Sequence, residues 1–327
     1  YEIASCLVGS EMCIRDSSED VRRKVLSAIK NSNYIPNNSA RDLVRTKSDA
    51  VGLVVRGVSN PFYTDIIRAI ERTITDAGFT MVMQQIGTCD DEVKCGAVME
   101  REKRLQGIVF LGGRFDYTPA DLAMLNVPFV CCSYSNRYGT LIEGEYSSVS
   151  IADGDTAQQA VEELYRHGHR RIAALISRPN DQSISQLRYE GYVQALESHG
   201  IPVDPELVIS TGGFGAKDAY RAVQEKMAEN VDFTALFAIA DSMAIGAMRA
   251  LMDAGRRIPE DCSVIAIDGL ELSAYIEPPL TTLCQPMEEM GRRSAEILLD
   301  MVRHKGSHAC ELLPTTLRQG RSVAAPR

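Results

Sequence analysis

The chain has 327 residues, 45% of them apolar and 24% charged, with a formal net charge of −9. At about 100–200 residues per domain this length points to two folded units, and no apolar run approaches the ~18 residues of a membrane span. Collagen-like, low-complexity and membrane-spanning classes are excluded, and the overall acidity argues against nucleic acid until the charge is divided along the chain.

Tyr1 to Ser17 shows neither helical nor strand periodicity, and Cys6 to Ser17 looks similar to peptide made when sequencing-adapter DNA is translated. It is set aside as a foreign-looking or disordered segment, 1–17. The N-terminus also lacks the basic start and long apolar run of a secretory signal, which argues for a cytoplasmic protein. Nine cysteines, an odd number without a C-x-x-C pair or a zinc-ligand histidine spacing, read as reduced core thiols; neither a metal site nor a disulfide scaffold is expected.

Residues 18–47 hold seven bases and three acids, a net +4, and residues 48–327 carry −11. A basic arm on an acidic body is the asymmetry of a DNA-contacting head on a larger sensor. Ser17 or Ser18 can cap a helix with Glu19 and Asp20 near its positive end, and Val21, Val25, Leu26 and Ile29 form one apolar stripe that needs a covering partner. After Asn31 to Asn33, Pro36 blocks continuation and Asn37 can cap a second, two-turn helix, too short to stand alone in water.

From Asp49 onward short β-branched runs alternate with amphipathic stretches. Val51–Val55 reads as a strand, Pro61–Ala77 as a helix with Pro61 at its first position, Thr80–Gln84 as a strand and Asp90–Arg104 as a helix. Gly107–Leu111 and Val127–Cys132 are strands. The rhythm restarts with helix Asp153–His167, strand Arg171–Ile176, helix Gln182–His199 and strand Leu207–Ser210. It continues through Lys217–Glu229, Ala235–Ala238, Asp241–Ala254 and Ser263–Ile267. The expected fold class is therefore α/β, with two doubly wound parallel-sheet lobes and a ligand cleft at the carboxyl ends of the strands.

No P-loop, nucleophile elbow or zinc-protease motif occurs, and Gly213 to Asp218 has Asp where the third glycine of a dinucleotide fingerprint belongs. His167 and His169 suit a helix C-terminus and a structural role. No cofactor is called for, and the chain is not expected to be an enzyme.

Six ordered groups of strings are specific enough for a resemblance. They are Tyr34-Ile35-Pro36-Asn37 with Ala40-Arg41-Asp42-Leu43, Gly52-Leu53-Val54-Val55 with Ser59-Asn60-Pro61-Phe62-Tyr63, and Gly168-His169-Arg170-Arg171-Ile172. Arg188-Tyr189-Glu190-Gly191-Tyr192, Asp241-Ser242-Met243-Ala244-Ile245-Gly246, and Pro279-Leu280-Thr281-Thr282 with Gln285-Pro286 complete the set. On these the chain resembles the LacI/GalR family of bacterial transcriptional regulators from Ser18 to its end. The resemblance implies a helix-turn-helix head, a hinge helix and a periplasmic-binding-protein-like (type I) effector domain. Residues 18–47 would be the partial head and hinge, and 48–327 the effector and dimerisation domain. The first lobe is expected at about 48–165 and 286–314, the second at 166–285 and 315–327. Ser18 to Asn31 matches only the third head helix. The recognition helix would fall where Tyr1 to Ser17 stands, so operator binding by this chain is expected to be weak or absent.

The resemblance also implies roles residue by residue. Leu43 would wedge between base pairs in the minor groove, with Asn37, Arg41 and Arg45 on groove or phosphate. In the cleft, Arg188 would grip ligand hydroxyls or carboxylates with its planar fork, and Asp153, Asp268 and Gln285 would face the ligand. Phe62 and Phe214 would stack on it, with Tyr63 and Phe115 as further candidates because the chain has no tryptophan. Asp153 and Asp241 both precede helices; ligand contact is expected for Asp153 and capping for Asp241. Ala240 stands where sugar-binding members often carry Asn, leaving sugar or another metabolite open. The expected partners are operator DNA, a small-molecule effector of carbohydrate type, and a second copy in a homodimer or dimer of dimers, with no membrane. Helix Pro61–Ala77 is the expected dimer surface, its Ile66, Ile67, Ile70 and Ile74 split between core and interface. The expected function is a repressor under effector control; the alternative is the solute-binding protein of a sugar transporter.

Overall fold

The computed structural model describes residues 19–21, 23, 24, 27, 48–57, 60–87, 90–142, 144–180 and 182–327. The foreign-looking segment and the expected DNA contacts Asn37, Arg41, Leu43 and Arg45 lie outside the described residues. Residues 19–21, 23, 24 and 27 are helical and exposed.

Two six-stranded sheets form the body. The first has the order β11-β5-β4-β3-β1-β2 and the second β12-β10-β9-β8-β6-β7. The strands of the first are β1 (Ala50–Arg56), β2 (Thr80–Ile86), β3 (Gly107–Leu111), β4 (Phe129–Cys132), β5 (Ser148–Ser150) and β11 (Cys310–Leu312). Those of the second are β6 (Ile172–Ile176), β7 (Val208–Ser210), β8 (Ala235–Ala238), β9 (Ser263–Asp268), β10 (Thr281–Cys284) and β12 (Thr316–Arg318). All pair in parallel except β12, which runs antiparallel to β10. In each sheet the chain steps outward and then back across its first strand, so the order reverses between β1 and β3 and between β6 and β8. Crevices at such reversals are where α/β sheets bind ligands. Strands β3, β4, β6, β8 and β9 are buried along their whole length, as parallel strands covered on both faces must be.

The helices are α1 (Tyr63–Asp76), α2 (Glu92–Lys103), the short α3 (Pro119–Leu122), α4 (Asp153–Arg166), α5 (Ile184–Ser198), α6 (Ala216–Ala228), α7 (Asp241–Asp253) and α8 (Met287–His304). A 3-10 turn, Glu271–Ala274, follows β9. Helix α1 buries Ile66, Ala69, Ile70 and Ile74, one stripe at helical spacing, against α8. Each such isoleucine contributes about 1.5–3 kcal/mol. The two helices approach so closely that a Cβ on Gly291 would sit 2.4 Å from the Ile66 carbonyl oxygen. Three of the four isoleucines split by expectation between core and interface are therefore core, and Ile67 alone is part-exposed. Pro61 does not open α1: the Asn60 side chain accepts the Phe62 N–H at 3.1 Å, and its carbonyl accepts the Tyr63 N–H at 3.1 Å. This turn delays the helix to Tyr63.

The boundary between lobes also moves. Helix α4 packs on α5 and on β8, β9 and β10, so it belongs to the second lobe rather than to a first lobe ending at 165. The chain crosses between lobes three times, each in two or three residues: from β5 to α4, from β10 to α8, and from β11 to β12. Ser48, the first described residue of the body, precedes β1 at the end of the sheet opposite the cleft, where its hydroxyl donates to the Arg104 carbonyl at 2.7 Å.

The thiols follow their neighbourhoods. Cys131, Cys132 and Cys262 are buried, Cys95 and Cys284 part-buried and Cys310 exposed; all six are free, so the expectation of core thiols fails for Cys310. His169 is buried, with Nδ1 3.0 Å from the Thr234 hydroxyl and Nε2 2.8 Å from the Ala324 carbonyl, tying the C-terminal segment to the second lobe.

Candidate effector-binding site

The second lobe gathers four of the expected ligand residues. Arg188 projects from α5, Asp153 is the first residue of α4, Asp268 ends β9, and Gln285 lies on the crossing that follows β10. Arg188 Nε donates to Asp153 Oδ1 at 3.0 Å and Nη2 to the same oxygen at 2.9 Å. Its Nη1 donates to the Ile239 carbonyl at 2.5 Å and lies 3.3 Å from Asp268 Oδ1. Gln285 Nε2 donates to Asp268 Oδ1 at 2.8 Å. All four side chains belong to buried residues.

Two acceptors in this group, Asp268 Oδ2 and Gln285 Oε1, are buried and have no hydrogen-bond partner among the described residues. Burying such atoms unpaired costs about 1–3 kcal/mol each, so the pair is set for incoming O–H or N–H donors. Burial pushes the Asp268 carboxyl up to about 7 against the pull of Arg188, with the charge of Asp241 adding to the rise. Asp153 is also raised by burial, with Arg188 opposing.

The aromatic candidates separate. Tyr63, at the start of α1, faces this group from the first lobe: burial pushes its phenol up to about 12, Cys132 and Asp268 add to the rise, and Arg56 and Arg188 oppose it. Its hydroxyl thus lies within electrostatic reach of charges from both lobes. Phe62 is buried in the apolar core, its ring 5.6 Å from that of Tyr63. Phe214 is part-buried against the second-lobe core, and its carbonyl accepts from the Ser242 hydroxyl at 2.8 Å. Phe115 is not brought to Arg188. It packs into an aromatic group of the first lobe, 5.6 Å from Tyr134, with Tyr117 and Tyr146 also against Tyr134.

Asp241 does not cap α7, contrary to expectation. The cap position is Ala240, which makes no side-chain bond, and both Asp241 oxygens turn to the segment after β9 and to β10. Sequence reasoning also missed Glu92. It is fully buried at the first turn of α2, where its Oε1 accepts from the Arg114 N–H at 2.7 Å and from the Tyr117 hydroxyl, with Arg56 Nε 3.5 Å from Oε2. An acid after the capping Asp91 reads as an ordinary helix-dipole partner; only the fold shows that strand ends enclose it. Beside the cleft, the Tyr138 hydroxyl of the first lobe donates to Glu190 Oε1 of α5 at 3.1 Å, and Ile184 and Leu187 pack on the first-lobe aromatic group. A separate groove of about 770 Å³ runs between α1, α8 and the Glu271 turn; its Arg68, Arg72 and Arg292 are paired with Asp65, Glu288 and Glu289.

The profile of the periplasmic binding protein-like domain matches residues 161–323. The HTH-type transcriptional regulator MalR of Clostridium butyricum is 37% identical over 306 residues, 92% of this chain and 90% of that protein. The structure of the transcriptional regulator CelR in complex with cellobiose superposes with a TM-score of 0.75 at 30% identity, covering 94% of this chain and 92% of that one. The lac repressor dimer bound to operator and the anti-inducer ONPF gives a TM-score of 0.75 at 25% identity, over 89% and 100% of the two chains. Two reversed parallel sheets, a buried arginine–carboxylate site at their strand ends, and likeness to regulators over nine-tenths of its length place this chain in the LacI/GalR family of bacterial transcriptional regulators.

Proposed function

We propose that the chain is a repressor whose operator affinity is set by a carbohydrate effector held between the lobes by Arg188, Asp153, Asp268 and Gln285, with Tyr63, Phe62 and Phe214 on its apolar faces. The observation that carries this reading is the pair of buried, unpartnered acceptors, Asp268 Oδ2 and Gln285 Oε1, beside a fixed guanidinium. Vicinal hydroxyls supply two donors to such acceptors and an oxygen to the arginine fork, which a nucleobase edge does less completely. The likeness to a cellobiose complex supports the class.

DNA contact is assigned to Asn37, Arg41, Leu43 and Arg45, with Leu43 as the intercalating wedge. The working unit is a homodimer or dimer of dimers joined through α1 and its neighbours. Signalling is linkage: an effector that prefers one arrangement of the lobes shifts the paired hinge segments by no more than that preference.

Isothermal titration with cellobiose, maltose and ribose tests the effector class. Saturable binding of at least one, lost in Arg188→Ala, is expected; binding of none, or equal binding by wild type and Arg188→Ala, would sink the reading. Light scattering that returns a monomer at 50 μM would remove the dimer.

A further inference from the structure

Asp268 holds a backbone conformation disfavoured for an L-residue: its φ is +135°, and Gly269 follows at +80° with Cys284 Sγ 2.5 Å from where a Cβ would stand. Such a conformation persists only when its surroundings hold it in place. Here the holder is Asp241, fully buried at the start of α7. Its Oδ2 accepts the Leu270 N–H at 2.8 Å and the Ser273 hydroxyl at 2.7 Å, and its Oδ1 accepts the Thr282 hydroxyl at 2.5 Å. Arg318 on β12 closes the same turn from outside, donating to the carbonyls of Leu270 at 3.1 Å and Gly269 at 3.5 Å and to the Ser273 hydroxyl. Three elements that are remote in sequence, α7, β10 and β12, therefore converge on the five residues after Asp268.

We propose that Asp241 is a positioning residue for effector recognition: with Arg318 it clamps the turn 268–273 so that Asp268 meets Arg188 and Gln285 through Oδ1 and keeps Oδ2 for the ligand. The role in recognition rests on the reading of Asp268 as an effector contact; the clamp itself does not. The chemistry of the anchor separates this role from simple packing. Asparagine at 241 keeps one acceptor oxygen for Leu270 and Ser273, and its amide can donate to a Thr282 hydroxyl that rotates to accept, so the clamp survives without the charge. Alanine keeps none of these bonds. The Ser273 hydroxyl donates to Asp241 on one side of the clamp and accepts from Arg318 on the other, so it can be removed while the carboxylate stays.

Hydrogen-exchange mass spectrometry on the full chain, compared among wild type, Asp241→Ala, Asp241→Asn and Ser273→Ala, reads the clamp without any ligand. Amides 269–273 are expected to exchange at least tenfold faster in Asp241→Ala, near the wild-type rate in Asp241→Asn, and in between for Ser273→Ala, while 263–267 on β9 keep their protection. Titration with cellobiose is expected to weaken at least tenfold in Asp241→Ala and to recover in Asp241→Asn. Wild-type protection of 269–273 in both Asp241→Ala and Ser273→Ala overturns the proposal. If Asp241→Ala loses protection on β9 as well, it has unfolded, and Ser273→Ala decides. A loosened turn with undiminished cellobiose binding overturns the positioning role. A wild type that binds none of the three sugars overturns the carbohydrate reading, and the exchange data still decide the clamp.

Discussion

The two lobes repeat one topology and use their cleft edges differently. In the first, the charge at the sheet reversal is consumed internally: Glu92 is held by Arg56, the Arg114 N–H and Tyr117. In the second, Arg188 is held by two carboxylates, and Asp268 and Gln285 still present unpaired oxygens. Equal folds thus give one lobe whose buried oxygens without a hydrogen bond, Glu92 Oε2 and Asp116 Oδ1, still face arginines at 3.5 and 3.3 Å, and one whose Asp268 Oδ2 and Gln285 Oε1 face no such cation among the described ion pairs. On the proposed reading, recognition follows the oxygens left without a partner rather than the topology that carries them.

The largest expected effect that would break this contrast comes from Arg188→Ala. It strands Asp153 and Asp268 as buried charges, at about 3–5 kcal/mol of stability in urea denaturation, and lowers effector affinity by about 100-fold or more. A stable variant that still binds would show that the arginine is a strut only. Next is Asp268 itself. Its carboxyl, ordinarily near 3.8, is raised to about 7, so the folded chain binds a proton that the unfolded chain has released between those values. Its contribution to stability is present below the ordinary value and is lost as pH rises through about 7. Effector binding runs the other way, because an O–H donor needs the ionised form. Affinity is expected to fall about tenfold per unit as pH drops below 7, and Asp268→Asn to abolish that slope in calorimetric titrations at pH 5.5 to 8.

Glu92→Gln probes the lobe whose buried acceptors are ion-paired. Its amide would turn a donor toward Arg56, costing about 1–3 kcal/mol of stability while leaving effector affinity within about threefold. A large loss of affinity with little loss of stability would make the first lobe a recognition surface and erase the contrast. The smallest effect is expected from Tyr138→Phe, which removes the 3.1 Å bond to Glu190. About 0.5–1.5 kcal/mol of lobe closure is at stake, visible as faster exchange at 184–190.

Much of the fold is legible in the sequence because long apolar runs and amphipathic helices carry periodicity. Strands β1 to β4 and β6 to β9 fall where alternation places them, within the usual uncertainty at ends. Three-residue strands such as Ser148–Ser150 and Thr316–Arg318 are too short for a period of two, and the rhythm read from the sequence stops at Ile267, before α8. The second-lobe site is legible through the family strings around Arg188, Asp241 and Gln285. What the strings cannot convey is partnership. Asp241 and Asp153 occupy equivalent first positions of α7 and α4, yet one faces a turn 27 to 32 residues downstream and the other an arginine on the next helix. Glu92 has no motif at all, because its burial depends on loops contributed by β1 and β3.

The three short crossings between lobes give the molecule a fulcrum. Gln285 sits on one of them and Asp153 on the far side of another, so an effector held by both, as proposed, would press close to the axis about which the lobes would turn. Ser48, where the proposed DNA-contacting segment joins the body, lies beyond the opposite end of β1, a lever arm of about 23 Å for seven residues at roughly 3.3 Å each. A rotation of about 10° at the fulcrum would carry that junction about 4 Å, a displacement comparable to the separation of neighbouring base pairs, while the bonds around an effector there would move by a fraction of it.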